Sequence, residues 1–237
     1  MKNMRTEKAV PLVLAVLAVI MGVSIYITLN RAETVFASVR PYTHTVVIDA
    51  GHGGEDGGAV SVNGIHESGI NLAIAQKTDA LMRFYGVRTV MVRTDDISIH
   101  HASARTIAEK KRSDLVNRVE LINGVENALL LSIHQNSFPE SKYFGAQMFH
   151  GDDPSAIPLA LRLQELFLKI DPDNTRKIKK VTKGAAYVMD NAECPAILAE
   201  CGFLSNHGDA GKLTAEPYQR KVAAVLLAGY LDSIKAP

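Results

Sequence analysis

The chain has 237 residues and a formal net charge of +1, with 26 basic and 25 acidic side chains. This near balance excludes the strongly basic surface on which nucleic-acid binding usually depends, so no nucleic-acid partner is expected. Residues 44–237 are numerous enough for one globular domain with an ample hydrophobic core, and a second domain is not needed.

The N-terminal segment differs from the rest of the chain. Residues 1–8 form a basic flank, and residues 9–29 carry no charged side chain and are rich in Val, Leu, Ile and Ala. Such a stretch is long enough to cross a bilayer and is interpreted as a transmembrane signal anchor. A cleaved signal peptide is the alternative, since Val35–Ala37 offers a cleavage site. The basic flank predicts a cytoplasmic N-terminus and an extracytoplasmic domain, joined by a tether over residues 30–43.

The domain is predicted to begin with a short buried strand, Val46–Ile48. This strand runs into a glycine turn that holds His52 at the strand's carboxyl end, the edge where open α/β sheets bind ligands. A helix begins near Glu67, because apolar residues recur there at helical spacing, and Gly86 ends it. Val87–Val92 is the next predicted strand.

A long exposed excursion is predicted over Arg93–Lys111, where no periodicity is sustained. Loops of that length in a compact domain are more often functional than idle. Ser113 is predicted to cap the following helix, which ends near Asn127. The apolar run Ala128–Ile133 is predicted to be a buried strand, and it ends in His134.

The remaining elements continue the alternation of strands and helices. They are predicted as a strand, a helix, two strands and a closing helix: Phe144–Phe149, Ala156–Ile170, Tyr187–Met189, Pro195–Ala199 and Tyr218–Ile234. Strands separated by helices of about 12 or more residues imply mainly parallel pairing. The expected fold is therefore a single α/β domain whose mainly parallel, twisted sheet carries helices on both faces.

The two cysteines of the chain are Cys194 and Cys201. The residues between them are predicted to form a strand, which at about 3.3 Å per residue would hold the two Cα atoms near 20 Å apart. A disulfide needs a separation below about 7 Å. Both are therefore predicted to be free thiols.

Two histidines are predicted to leave the same edge of the sheet. His52 and His134 each follow a strand of one parallel sheet, so their side chains converge. Two imidazoles and one carboxylate are the protein ligands of many catalytic zinc sites, with a fourth position left for water. The best carboxylate is Glu67, because the loop leaving His52 returns it to the sheet edge. Competing ligands remain open at this point: Glu55, Asp56 and His66.

A zinc hydrolase also needs a base that is not bound to the metal. Glu200 is predicted to follow a buried strand directly and to precede a glycine turn, which favours it as that base. A surface glutamate at a strand end is the structural alternative. A nucleophilic Cys201 paired with His134 is a further rival.

Four segments resemble, in the same order, the zinc-dependent N-acetylmuramoyl-L-alanine amidases of the third amidase family: Ile48–Gly54, Glu67, Ser132–Asn136 and Ala199–Asn206. Each segment is a weak signal alone, but four in order are specific, and the resemblance covers nearly everything from Val46 to Ile234. It implies that one Zn²⁺ per chain is bound by His52, Glu67 and His134, and that Glu200 is the catalytic glutamate. Three further residues match positions that the family usually fills in this way, as substrate-binding or supporting residues: Arg93, Arg118 and Asn136. Ala50 and Cys201 depart from the usual residues, and neither departure removes a ligand.

Within that family, the chain is most similar to the germination-specific amidases of spore-forming bacteria. The resemblance rests on a lone catalytic domain behind a hydrophobic segment, on Gly57–Ala59 and on Asn174–Lys177. It implies hydrolysis of the amide between the lactyl group of N-acetylmuramic acid and L-alanine in peptidoglycan, during spore cortex maturation for muramic δ-lactam formation. The implied location is the intermembrane space of the developing spore, and the need for an activating protein partner stays open.

Two other functions remain open from the sequence. A zinc peptidase would cut within the stem peptide, and an inactive wall-binding or regulatory module would cut nothing; the intact set of four site residues argues against the latter. The basic run Arg176–Lys183 is either a solvated loop or a contact to anionic substrate or membrane.

Overall fold

The computed structural model describes residues 14, 17–26 and 44–234. The chain divides into two units, Met1–Pro41 and Tyr42–Pro237. Residues 17–26 are helical, and no helix among the described residues is both long and apolar enough to cross a bilayer. Most of the predicted anchor over residues 9–29 lies outside the described residues, as do the tether and the alternative cleavage site.

The second unit is built on a sheet of six described strands in the order β2-β1-β3-β6-β4-β5. All neighbouring strands are parallel except β4 and β6, which are antiparallel. The prediction of a mainly parallel sheet is therefore confirmed, and the sheet is mixed because of one pairing. The strands are β1 Thr45–Ala50, β2 Thr89–Met91, β3 Ala128–Asn136, β4 Gln147–His150, β5 Lys179–Lys180 and β6 Ala196–Phe203.

Helices cover both faces of the sheet, as predicted. They are α1 Glu67–Phe84, α2 Ile107–Asn123, α3 Ile157–Ile170, α4 Tyr187–Asn191, α5 His207–Leu213 and α6 Glu216–Ser233, with a 3₁₀ turn at Pro154–Ala156. On one face, α1 and α3 pack against α6. On the other face, α2 packs against α4. Two hydrophobic cores result, one on each side of the sheet.

The buried strands explain why this sheet forms. In β1, Val46 and Ile48 belong to the larger core, and Val47, which points the opposite way, belongs to the smaller one. All three are completely buried. Burying an aliphatic side chain of this size stabilises the fold by about 1.5–3 kcal/mol. A run without polar alternation is therefore the pattern that a central strand with two covered faces requires.

The predicted start of α2 was wrong. The helix begins at Ile107 rather than after Ser113, so the last residues of the predicted excursion are helical. Thr106 is the N-cap: its side chain accepts a hydrogen bond from the backbone N–H of Glu109, and the Glu109 side chain accepts one from the backbone N–H of Thr106. Such a capping box satisfies two donors that would otherwise be unpaired at the helix start.

The predicted strand Tyr187–Met189 was also wrong, because these residues begin helix α4. The Asn191 side chain donates to the carbonyl of Tyr187 at 2.8 Å, and the Asp190 carboxylate accepts from the backbone N–H of Gly184 at 2.7 Å. These side-chain contacts hold a short helix despite the strand propensity of Tyr and Val. Helix α5 and strand β5 were not predicted, and β6 runs four residues past the predicted end at Ala199.

Candidate active site

His52 lies in the turn that follows β1, with a positive φ of 62°. A non-glycine residue rarely adopts this conformation, so the surrounding contacts must hold it. The backbone carbonyl of His52 accepts a hydrogen bond from Nη2 of Arg118 at 2.7 Å. Nε of Arg93 donates to the carbonyl of Ala50 at 2.8 Å, and its Nη2 donates to the carbonyl of Gly51 at 3.1 Å. Two arginines therefore fix the turn that carries the histidine.

The structure brings His52, Glu67 and His134 together, with one ligand atom from each within 4.8 Å of the others. Nε2 of His52 lies 3.3 Å from Oε2 of Glu67, and Nδ1 of His134 lies 3.0 Å from Oε1 of the same carboxylate. The imidazole rings are 5.0 Å apart between centroids and nearly perpendicular. The carboxylate therefore stands between two imidazoles at the carboxyl edge of the sheet.

Other hydrogen bonds orient the Glu67 carboxylate, which is almost completely buried. The backbone N–H of Ala59 donates to Oε2 at 3.0 Å, and the backbone N–H of Gln135 donates to Oε1 at 3.0 Å. Nδ2 of Asn71 adds a third bond at 3.2 Å. Burial alone would raise the pKa of Glu67, but hydrogen bonds and charge from both histidines hold that pKa well below its usual range. The carboxylate is therefore ionised, as a metal ligand must be.

Of the competing ligands, Asp56 lies closest to the group. Its Oδ2 is 3.0 Å from Nδ1 of His52, on the opposite side of the ring from Glu67, and 3.1 Å from Nζ of Lys111. Burial lowers the pKa of His52, but the two carboxylates outweigh it and raise that pKa above its ordinary value. A carboxylate on the second nitrogen of a ligating imidazole fixes the ring's tautomer and orientation.

The other two competing ligands point elsewhere. Glu55 is exposed and forms an ion pair with Lys110. His66 is the N-cap residue of α1 and is exposed, and it is not part of the group that could hold a metal.

Glycines leave the room that this group needs. A Cβ atom at Gly51 would lie 2.0 Å from Nε2 of His134. A Cβ atom at Gly58, where φ is +69°, would lie 2.7 Å from Oε2 of Glu67 and 2.7 Å from Cδ2 of His52. Any larger residue at either position would displace a member of the group.

Glu200 lies within β6, as the register partner of His134 on β3. Although the residue as a whole is only partly buried, its Oε2 is shielded from solvent and has no hydrogen-bond partner among the described residues. Burial raises the pKa of Glu200 to about 7, against the opposing charge of His134. A carboxyl group with a pKa near neutrality suits proton transfer at physiological pH. Glu200 lines a cleft of about 330 Å³ together with His52 and His134.

Cys201 does not share this cleft. It points to the opposite side of the sheet, where it is buried in the larger hydrophobic core. Burial raises the pKa of its thiol well above the ordinary value of a cysteine. The nucleophilic cysteine that the sequence left open is therefore contradicted, and both cysteines are free thiols, as predicted.

Arg118 has a structural role that the sequence did not define. Its guanidinium is buried and donates to Oδ1 of Asp49 at 2.5 Å and to Oδ2 of Asp114 at 2.6 Å. Burial acts to lower the pKa of Arg118, but the two carboxylates outweigh it and raise that pKa. The hydroxyl of Ser132 on β3 donates to the other Asp49 oxygen at 2.8 Å. This network ties α2 to the ends of β1 and β3, from which the two histidines emerge.

Asn136 ends β3 and lies away from the histidines. Its side chain lines a second groove, next to Phe203, on the side of the sheet towards β4 and β5. Its backbone carbonyl accepts a hydrogen bond from the N–H of Leu204 at 2.8 Å, which extends the pairing of β3 with the end of β6.

Sequence reasoning missed two residues that support Glu67, namely Asn71 and Gln135. Asn71 donates to the carbonyl of Gly51 at 3.1 Å as well as to Glu67, and it accepts a hydrogen bond from Nε2 of Gln135 at 3.1 Å. A polar residue one turn after Glu67, on the buried face of α1, was the only sequence signal for Asn71.

The donor set fits a metal ion. Two imidazoles and a carboxylate match the protein ligands of catalytic zinc, which are arranged about a tetrahedral ion at about 2.0–2.2 Å. Each imidazole has a nitrogen 3.0–3.3 Å from an oxygen of Glu67, Oε2 for His52 and Oε1 for His134, and one ligand atom from each of the three residues lies within 4.8 Å of the others. Glu67 is ionised and His52 has a second carboxylate behind it, so the ligands are prepared for a cation.

An α/β sheet with such a group at its carboxyl edge, and a buried carboxyl group on the neighbouring strand, is the arrangement of a hydrolase that works with a bound metal ion. The sequence agrees: residues 46–231 match the profile of a family described as N-acetylmuramoyl-L-alanine amidase. The chain belongs to this family of peptidoglycan amidases.

Individual relatives are similar over most of the domain. The chain is 34% identical over 187 residues to the germination-specific N-acetylmuramoyl-L-alanine amidase of Bacillus subtilis, covering 78% of each chain. It is similar in structure to the CwlD amidase of Clostridioides difficile, which was solved in complex with the GerS lipoprotein. The TM-score is 0.77 and the sequence identity is 35%, over 81% of this chain and 98% of that one. The AmiC2 amidase of Nostoc punctiforme gives a TM-score of 0.70 at 25% identity, over 83% of this chain and 100% of that one.

Proposed function

We propose that this chain is a zinc-dependent amidase that hydrolyses the bond between the lactyl carbonyl of N-acetylmuramic acid and the amine of L-alanine. The observation that carries the proposal is the convergence of His52, Glu67 and His134 within 4.8 Å, with Glu200 beside them on the neighbouring strand. The family match supports the substrate, because its members are described by that amide bond.

His52, Glu67 and His134 are the proposed zinc ligands. Zinc at this position would lower the pKa of a bound water to about 7 and would polarise the carbonyl under attack. Asp56 keeps the His52 ring oriented through its contact with Nδ1. Arg93 and Arg118 hold the backbone turn of His52, so they act as positioning residues rather than as catalytic ones.

Glu200 is the proposed general base and general acid. Its carboxylate accepts a proton from the attacking water, and the resulting hydroxide adds to the lactyl carbonyl carbon. When the C–N bond breaks, the same carboxyl group returns the proton to the nitrogen of alanine, which leaves as an amine. A folded-state pKa of about 7 allows the group to act in both directions near neutral pH. The products are a glycan strand without its peptide and a free stem peptide with an alanine N-terminus.

The relatives support a role in the spore. The Bacillus subtilis relative is described as germination-specific and the Clostridioides difficile relative is a CwlD amidase, at 34% and 35% identity. We propose that this chain acts outside the cytoplasm, on spore cortex peptidoglycan, and that residues 9–29 anchor it in the membrane. The complex of the Clostridioides difficile relative with a lipoprotein supports a protein partner here too. Fractionation of sporulating cells tests the membrane anchor, because full-length protein in the soluble extract would exclude it.

Metal analysis tests the ligand assignment. Wild-type protein dialysed against zinc should retain one ion per chain, and His52→Ala and His134→Ala should retain almost none, because two protein ligands hold zinc weakly. Glu200→Gln should keep the ion and lose turnover about 10²–10⁴-fold, because a near-isosteric amide cannot accept a proton. Loss of zinc from Glu200→Gln would show instead that Glu200 is a ligand.

A further inference from the structure

The sheet face that carries the metal-binding group continues past it. His134 on β3 is the register partner of Glu200 on β6, and Glu200 is the partner of Gln147 on β4. Register partners in neighbouring strands place their side chains on the same face of a sheet. Two residues further along β4, Phe149 is the partner of Lys179 on β5. One continuous face therefore runs from the metal-binding group to the edge strand.

A groove of about 380 Å³ lies on this face, beside the cleft that holds Glu200. Two cations, Arg176 and Lys179, line it together with aromatic rings. The rings of Phe138 and Tyr143 meet edge to face with centroids 5.1 Å apart, and Phe138 is half exposed. We call this lining, which also includes Phe203, the cationic groove. Its combination of charge and apolar surface fits an extended peptide that carries a negative group.

Arg176 is held in a fixed position within the cationic groove. Its Cζ lies 4.3 Å from the centre of the Phe203 ring, over which it stacks. Nε donates to the carbonyl of Phe144 at 2.7 Å, and Nη1 donates to Oε1 of Gln147 at 3.1 Å. In contrast to Arg118, Arg176 forms no ion pair with any described residue, and its Nη2 donates to none of them. Of its two terminal nitrogens, Nη2 is therefore the one without a partner among the described residues.

Arginine N–H groups form charge-assisted hydrogen bonds to carboxylates, and Nη2 of Arg176 is available to donate one. Ordering costs are low here, because stacking and two hydrogen bonds already fix the side chain. Gln147, which orients Arg176, is one strand away from Glu200. Adjacent strands are about 4.8 Å apart, so the backbone that carries Gln147 lies about that far from the backbone that carries Glu200.

We propose that Arg176 binds the carboxylate of the residue that follows alanine in the stem peptide. This inference rests on the proposed amidase function. An extended peptide advances about 3.3 Å per residue, so one or two residues beyond the scissile bond span about the distance between these two neighbouring strands. In peptidoglycan that residue is a glutamate whose α-carboxylate is free in some walls and amidated in others. The cationic groove makes the enzyme selective for the free acid.

Two substrates that differ only at this group test the inference. Muropeptides with the free α-carboxylate or its amide are digested by the full-length, zinc-loaded enzyme, and kcat/KM is measured from the release of N-terminal alanine. The free acid should be cleaved with a kcat/KM at least about tenfold higher, the size expected for one charge-assisted hydrogen bond. Arg176→Gln should lower kcat/KM for the free acid and leave the amide nearly unchanged, which removes the preference.

Lys183→Gln is the matched control, because Lys183 belongs to the same basic run but does not line the cationic groove. This variant should keep the full preference. Equal kcat/KM for the two substrates in the wild type would overturn the inference and leave the amidase function intact. A preference that survives in Arg176→Gln would overturn the assignment to Arg176. Failure to release N-terminal alanine from either substrate would instead contradict the proposed function. The wild-type comparison needs no variant, so it stands even if Arg176→Gln folds poorly.

Discussion

The stability of the metal-free protein should depend on pH through Glu200. The folded-state pKa of this group is about 7, against an ordinary value of 4.5. Below about pH 4.5 the carboxyl group is protonated in the folded and unfolded chains alike, so its burial does not lower the free energy of unfolding. As the pH rises towards 7 the unfolded chain releases the proton while the folded chain keeps it, so unfolding becomes easier. A difference of about 2.5 pH units corresponds to up to about 3 kcal/mol.

Glu200→Gln removes this titration and leaves the other groups in place, which makes it the matched reference. Both proteins are freed of metal with a chelator, and the free energy of unfolding is measured by urea denaturation between pH 5 and pH 8. The wild type should lose stability relative to Glu200→Gln as the pH rises, by a total of about 2–3 kcal/mol, and the difference should level off above about pH 8. A difference that stays constant within about 0.5 kcal/mol would refute the idea that Glu200 is held protonated by burial.

Three further substitutions probe the surroundings of the site. Arg118→Met should lower the free energy of unfolding by about 3–5 kcal/mol, because it leaves the buried Asp49 carboxylate without its cation. In a double-mutant cycle, adding Asp49→Asn should recover part of that loss. Strict additivity of the two substitutions would contradict the pairing of Arg118 with Asp49. Asp56→Asn should weaken zinc binding about 10–100-fold in a competition titration with a chromophoric chelator, since the neutral amide oxygen is a weaker acceptor for the His52 imidazole and supplies no negative charge. Gly58→Ala should lower zinc affinity at least about tenfold, because its Cβ would overlap Glu67 and His52. Gly64→Ala is the matched control, since Gly64 has a similar φ of +78° but open space around it. This control should lower stability without changing zinc affinity.

The sequence was most informative where a local pattern coincides with a rule of parallel sheets. His52 and His134 each follow an apolar run, and the carboxyl ends of parallel strands meet at one edge, so their convergence could be predicted. Glu67 was harder, because three nearby side chains offered equivalent chemistry. The structure separates them by contact: Asp56 meets the second nitrogen of His52, while Glu67 lies between both rings. The catalytic and ligand roles of these residues stay predictions until they are measured.

One error came from choosing the wrong helix cap, and another from giving strand propensity too much weight. The Thr106 capping box was visible in the sequence as a threonine followed three residues later by Glu109, yet Ser113 was preferred as the cap. Tyr187–Met189 has the composition of a strand, but hydrogen bonds from neighbouring polar side chains close it into a helix.

Other features depend on tertiary contacts that no local pattern contains. Asn71 supports Glu67 only because α1 packs across the end of β3, which brings Gln135 within reach. Arg176 belonged to a basic run of unassigned role, and only the packing of Phe203 beneath it gives it a fixed position. The register shift between His134 and Asn136 was equally hidden, and β6 continues past Glu200 to Phe203, so the glutamate lies within a strand rather than after it.

The identity of the bond that is cut tests the central claim most directly. Purified peptidoglycan is digested with the full-length, zinc-loaded enzyme, new amino groups are labelled, and the labelled residue is identified after hydrolysis, with Glu200→Gln as the inactive control. The proposed function predicts N-terminal alanine that rises with time in the wild-type digest alone, without new reducing sugar. Labelled glutamate or diaminopimelate in place of alanine would show that the enzyme cuts within the stem peptide, and would contradict the amidase assignment.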